Sequence, residues 1–120
     1  MVIFTHILIV PFLGTLLYIH PMRIIAKSRL KDYWSQKAYR TAEQPLRVWH
    51  DEVKQAQWKN FNDLRADFPK ASVVGNGRVV FNIHGGAFRL IVKFEFKMNA
   101  VFIRYFGTHQ EYDTINAREV

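Results

Sequence analysis

The sequence has no cysteine among its 120 residues, which excludes a disulfide framework, a thiolate zinc site and a thiol nucleophile. Acidic residues are also scarce. Ten Asp and Glu stand against 17 Lys and Arg, giving a formal charge of +7 and a sequence pI near 9.9. An excess of this size attracts polyanions, so nucleic acid, an anionic membrane surface or an acidic protein is the class of partner to consider. Only four prolines and six glycines occur, and no repeat, low-complexity tract or Pro/Ser linker divides the chain. With 49% apolar residues, a chain this short supports one modest core. His6, His20, His50, His84 and His109 are scattered without ligand spacing, so neither a metal nor a cofactor is expected. Gly75, Gly77, Gly85 and Gly86 fall at strand turns rather than ahead of a helix, which excludes a phosphate-cradling loop.

Charge is absent altogether from Met1 to Pro21, MVIFTHILIVPFLGTLLYIHP. Residues 1–21 therefore form an apolar extension to a domain spanning 22–120, and three readings of it stand open. It is long enough to cross a bilayer with little to spare, with Arg23, Lys27, Arg29 and Lys31 following to hold the rest in the cytoplasm. Pro11 and Gly14 interrupt the run, however, and no basic start marks a secretory signal. The second reading is an extra element docked on the domain. The third is that translation starts at Met22, since everything a compact domain needs lies downstream. A cytoplasmic protein with no membrane partner is the expectation.

From Met22, MRIIA reads as a short strand and KSRLKDYWSQKAY as a helix capped by Ser28. A second helix is expected with Thr41 as cap, Pro45 in its first turn, and Leu46, Trp49, Val53 and Ala56 forming one apolar face. Asn60, with Asp63 three residues on, opens a third short helix that ends before Pro69. After Val74 the chain turns β-branched and aromatic, in the runs RVVFNIH, AFRLIVKFEF and AVFIRYFG. The fold class is α+β, with an N-terminal strand and helices packed on one face of an antiparallel sheet.

Gly85 and Gly86 can both take positive φ in a hairpin turn, which fixes the next register. Ile83 should face Phe88, Phe81 Leu90 and Val79 Val92 on an oily side. Asn82 should face Arg89, Val80 Ile91, and Arg78 Lys93 on the other. A second turn around Met98 and Asn99 would pair Phe94 with Ile103 and Lys93 with Arg104. Arg78, Lys93 and Arg104 would then form one row, and Asn82, Arg89 and Thr108 a parallel one. Opposed like charges destabilise a sheet, so such rows point to a bound anion, a phosphodiester backbone being the obvious one. Val80, Ile91, Phe102 and Phe106 would interleave with them, as base stacking beside a phosphate track requires. A merely solvated face, with Glu95 relieving the repulsion, is the plain alternative.

The closing segment YFGTHQEYDTI brings His109, Glu111, Tyr112 and Asp113 near this face, and an imidazole beside fixed cations is a usable proton donor or acceptor. Three segments, VVGNGRVVFNIHGG, FRLIVKFEF and VFIRYFGTHQEYDTI, with WKNFNDLRADFP upstream, resemble the HigB family of toxins within the RelE-like superfamily. The likeness covers essentially Met22 to Ile115. It departs from the family at Gly86 and Ala87, where members usually carry Asn and then a basic residue, and in the apolar extension.

The resemblance implies a compact RelE-like fold, ribosome-dependent cleavage of mRNA, and a hetero-oligomer with a HigA-type antitoxin carrying a helix-turn-helix domain. In the catalytic scheme His109 is the general acid or base, Arg89, Lys93 and Arg104 hold the scissile phosphate with Arg89 nearest, and Tyr112 orients or stacks a base or shares the proton work. Arg78, Asn82, Arg104 and Thr108 bind the RNA. Glu111 and Asp113 tune His109 or cap the last turn. The alternative is a non-catalytic RNA- or DNA-binding module, which the same basic face would serve.

Overall fold

A computed structural model describes residues 8–12, 15–19 and 21–120. Among the described residues there are two sheets. Strands β1 (Leu8–Phe12) and β2 (Thr15–Ile19) pair antiparallel, Leu8 opposite Ile19 and Phe12 opposite Thr15, as a sheet of their own. The remainder of the 1–21 extension, apart from Pro21, lies outside the described residues. Among the described residues no helix is long and apolar enough to cross a membrane.

The main sheet has the order β3-β7-β6-β5-β4, built from β3 (Arg23–Ile25), β4 (Ser72–Gly75), β5 (Arg78–Ile83), β6 (Phe88–Glu95) and β7 (Ala100–Thr108). It is mixed rather than wholly antiparallel. β3 runs parallel to β7, with Ile24 opposite Val101, as a strand can when a long crossover follows it, here three α-helices and a 3₁₀ helix before the chain returns to the sheet. Its entry is fixed by Met22, whose N–H donates to the Lys54 carbonyl at 2.9 Å and whose side chain is buried. β4 was not foreseen. Ser72–Gly75 carries only two β-branched residues before the Gly75–Asn76–Gly77 turn, and it pairs with β5 at the edge.

Helix α1 (Lys27–Trp34) begins after Ala26, so Ser28 lies within its first turn and caps nothing. A 3₁₀ helix at Lys37–Ala42 leads directly into α2 (Glu43–Gln55). This makes Ala42 the residue ahead of α2 and leaves Thr41 inside the preceding turn, with no side-chain cap. Pro45 sits in the first turn as expected, where its missing N–H costs nothing. In α3 (Phe61–Asp67) the Asn60 side chain accepts from the Asp63 N–H at 2.9 Å, as the sequence predicts.

The helices cover the oily face. Leu46, Trp49 and Val53 of α2 and Leu64 of α3 are buried with Val79, Phe81, Leu90, Val92, Phe94 and Ile103. Phe81 is the hub, its ring centroid 5.4 Å from Trp49, 5.1 Å from Phe68 and 6.4 Å from Phe94. Phe81→Ala should therefore cost about 3–5 kcal/mol, read as a lowered midpoint in urea unfolding at unchanged slope. A loss under 1 kcal/mol would show that the helices do not depend on this contact.

Candidate functional site

The Gly85–Gly86 turn has the expected geometry. Both glycines take positive φ, 64° and 94°, and the Ala87 N–H donates to the His84 carbonyl at 3.1 Å. The register follows: Ile83 faces Phe88, Phe81 faces Leu90 and Val79 faces Val92, while Asn82 faces Arg89, Val80 faces Ile91 and Arg78 faces Lys93. Arg78, Arg89 and Lys93 thus lie on the face turned away from the helices.

Across β6 and β7 the register differs from expectation. The connecting loop is centred one residue earlier, because Asn99 takes a left-handed conformation and its N–H closes on the Phe96 carbonyl, setting Ala100 opposite Glu95. Phe94 therefore faces Val101, Val92 faces Ile103, and Lys93 faces Phe102 instead of Arg104. A bulge between Ile91 and Val92 then shifts the pairing by one, so that Phe106 faces Leu90, Gly107 faces Arg89 and Thr108 faces Phe88. Phe106 and Thr108 leave the basic face in consequence. Phe106 packs beneath the sheet against Tyr33, Tyr39 and Phe88.

The cations form two groups rather than two full rows. At one end Arg78 donates through Nε and Nη2 to the main-chain oxygen of Val120, at 3.1 and 2.7 Å, and Arg104 Nε reaches the same oxygen at 3.1 Å. Lys93, directly opposite Arg78, pairs with Glu95 at 3.3 Å. At the other end the Arg89 guanidinium lies 5.8 Å from the centroid of the Tyr112 ring and donates through Nη1 to the Gly86 carbonyl. Four residues of extended strand, about 13 Å, separate Lys93 from Arg89. Lys93 therefore belongs with Arg78 and Arg104, not with the expected catalytic group. Asn82 is exposed beside Arg89 and lines a shallow cavity with Lys70 and Gly85.

His109 and Tyr112 share α4 (His109–Tyr112), one turn held in place at both ends of its hydrogen-bond set. The His109 N–H donates to the Ala87 carbonyl at 3.1 Å, fixing the turn beside the Gly85–Gly86 hairpin. Thr108 Oγ1 accepts from the Glu111 N–H at 3.1 Å, and the Glu111 carboxylate accepts from the Thr108 N–H at 2.8 Å. Thr108 and Glu111 are thus a reciprocal cap, the role the sequence allowed for Glu111. Tyr39, from the 3₁₀ helix, donates its hydroxyl to the same carboxylate at 2.7 Å.

These donors hold the Glu111 carboxyl below its usual range, the Thr108 N–H first and the Tyr39 hydroxyl next. Burial and the same hydrogen bond push Tyr39 up to about 12. Tyr105 is raised by burial and by the Glu111 charge. Gly107 makes room for this cluster, since a Cβ there would stand 2.7 Å from the Tyr105 hydroxyl and 2.9 Å from a Glu111 carboxylate oxygen. Tyr39 escaped the sequence reading because 72 positions separate it from Glu111. Among the described residues no three His, Asp or Glu stand close enough to share a metal ion.

The pH dependence of this lock has a definite sign. Glu111 is depressed in the folded protein, so its contribution is full above the ordinary carboxyl pKa and is lost as pH falls through the lowered one. Tyr39 is raised, so its contribution is full below 10 and is lost as pH climbs toward about 12. The chain should melt above Glu111→Gln at neutral pH, and the two melting temperatures should converge in acid. A gap unchanged from neutral pH down to acid would remove the Glu111 carboxylate as its source.

No curated protein sequence matches the chain. The HigB_toxin family, described as the RelE-like toxic component of a toxin-antitoxin system, matches residues 42–115, well over half of the chain. The matched stretch runs from the start of α2 through β4–β7 to the residues just past α4, and so contains Arg78, Arg89, Lys93, Arg104, His109 and Tyr112. With helices on one face of a five-stranded sheet and an α+β order, the chain belongs to the HigB toxins, the RelE-like toxic components of toxin–antitoxin systems.

Proposed function

We propose that this toxin is an endoribonuclease of the cytoplasm that cuts messenger RNA on the ribosome without a metal ion. One observation carries the reading: Arg89 of β6 lies over the Tyr112 ring at 5.8 Å, and Tyr112 stands on the short turn that begins with His109. A fixed cation, an imidazole and a phenol are the groups that cleavage of a ribose-phosphate linkage needs. One group takes the proton of the 2′-OH as that oxygen bonds to phosphorus. The bond from phosphorus to the 5′-oxygen then breaks, and a second group returns a proton to it, leaving a 2′,3′-cyclic phosphate and a 5′-OH.

His109 is the general acid or base in this scheme, and Tyr112 either stacks on the substrate base or supplies the partner proton. Arg89 stabilises the charge that builds on the phosphorane oxygens. Asn82, next to Arg89, contacts the same nucleotide, while Lys93 with Arg78 and Arg104 holds the backbone farther along the face. Thr108 supports the site by capping α4. The ribosome supplies the remaining geometry by holding the message, so cleavage of free RNA is weak. The family's antitoxin partner is, in this reading, a HigA-type helix-turn-helix protein that holds the toxin in a hetero-oligomer, and residues 1–21 stand outside the toxin domain of 22–120.

His109→Ala and Arg89→Ala should each slow cleavage by about 10²–10⁴-fold, the usual worth of such groups. Cells expressing either variant should grow where the parent chain arrests them, with folding verified by circular dichroism. Message ends mapped from arrested cells should carry 2′,3′-cyclic phosphate. Equal toxicity of both variants would remove these residues from the site. Protected but uncut RNA would leave a binding module instead.

A further inference from the structure

The second cation group holds a resident of its own. Three donors from two arginines on different strands, Nε and Nη2 of Arg78 and Nε of Arg104, converge on one oxygen of Val120. The Nε and Nη2 edge is the side of a guanidinium that grips phosphate or carboxylate as a fork. Two guanidinium groups side by side repel, with Lys93 directly opposite Arg78 adding a third charge. What the neighbouring strands have assembled is a seat for an anion, and the chain's own backbone sits in it.

The segment that delivers Val120 is held by its far end. After α4 it turns at Asn116, whose carbonyl accepts from the Glu119 and Val120 N–H groups at 3.0 and 3.3 Å. Asn76, in the β4–β5 turn, donates to the Arg118 carbonyl at 3.2 Å. Ile115 and Val120 are half-buried while Asn116 and Arg118 are exposed, so the segment lies across the sheet with one side inward. Its hydrogen bonds with Arg78 and Arg104 put Val120 on the side of the sheet that carries the cations.

We propose that Arg78 and Arg104 form a seat for an RNA backbone phosphate, distinct from the Arg89–His109–Tyr112 group, and that the Asn116–Val120 segment fills it until RNA displaces it. The ligand class rests on the nuclease reading above; the competition for the seat rests on the three hydrogen bonds. A phosphodiester offers two anionic oxygens to the same donors and replaces the contacts it displaces. The apparent affinity of a site is its intrinsic affinity multiplied by the fraction of molecules in which it is free, so the segment weakens RNA binding by the share of time it is seated.

The probe is a short 2′-O-methyl oligonucleotide, which lacks the nucleophile for cleavage and so reports binding alone. Deleting Asn116–Val120 removes one Arg and one Glu and leaves the net charge unchanged, so any gain cannot come from bulk charge. Binding should tighten about tenfold for a seat free in about a tenth of molecules, and the logarithmic salt dependence should steepen by about 0.7 per phosphate newly seated. Arg78→Ala in the shortened chain should abolish both gains.

A second arm avoids truncation. The chain has no cysteine, so Asn76→Cys combined with Arg118→Cys creates the sole thiol pair and pins the segment when oxidised. The oxidised protein should bind about tenfold more weakly than the same sample after reduction. Unchanged affinity on truncation, a gain that survives Arg78→Ala, or equal binding by the oxidised and reduced forms would each overturn the proposal. Message cleavage by the full chain is scored separately: failure to cut with intact competition for the seat would sink the nuclease reading alone.

Discussion

The register between β5 and β6, set by the Gly85–Gly86 turn, decides which side of the sheet every later side chain takes. Because strand side chains alternate, a slip of one residue would carry Phe88, Leu90, Val92 and Phe94 into water and put Arg89 and Lys93 beneath α2. The core contacts of Phe81 and the placement of the cations are therefore one constraint seen from two sides. It also explains how a chain of this charge tolerates opposed Arg78 and Lys93: the oily face pays for the pairing, and the repulsion is relieved by Glu95 and by an oxygen acceptor.

This register was legible because a Gly-Gly turn between two alternating runs leaves few solutions, and the six pairs of β5 with β6 follow from it directly. The pairs of β6 with β7 were not. A loop of 3₁₀ geometry closed by a left-handed Asn99 has no comparable signature in Phe96–Asn99, and a bulge leaves no local mark in composition. The helix starts failed for a related reason. Ser28 and Thr41 are good caps by type, but the 3₁₀ helix at Lys37–Ala42 runs straight into α2 and removes the cap position that Thr41 would have filled. Asn60 succeeded because an extended approach to α3 gives its side chain the geometry a cap needs.

The candidate site divides in the same way. Arg89 and Tyr112 were readable as neighbours, and His109 as sharing the turn of Tyr112, because hairpin register and chain order alone bring α4 to the Gly85–Gly86 turn. Lys93 was read both in one row with Arg78 and Arg104 and as a holder of the scissile phosphate; the strands keep it opposite Arg78, about 13 Å along β6 from Arg89. Tyr39 was invisible: only the packing of the 3₁₀ helix against Phe88 and Phe106 carries its hydroxyl to Glu111.

The bulge in β7 ties these parts together. Had the pairing of Val92 with Ile103 continued unbroken, Tyr105 would fall opposite Leu90 on the oily face and Phe106 opposite Arg89 among the cations. One additional residue reverses both. Phe106 turns inward to stack on Phe88 at 5.3 Å, and Tyr105 turns outward so that its hydroxyl passes over Gly107 beside Glu111. Arg104, the additional residue, stays on the outer face within reach of the oxygen that Arg78 holds. A single irregularity thus gives the core its last aromatic pair, gives α4 the cluster that fixes its cap, and gives the far end of the face its second guanidinium. The cap of α4, which carries His109, and the position of Arg104 are set by the same backbone step, so a shift in register that displaced Arg104 would also disturb that cap.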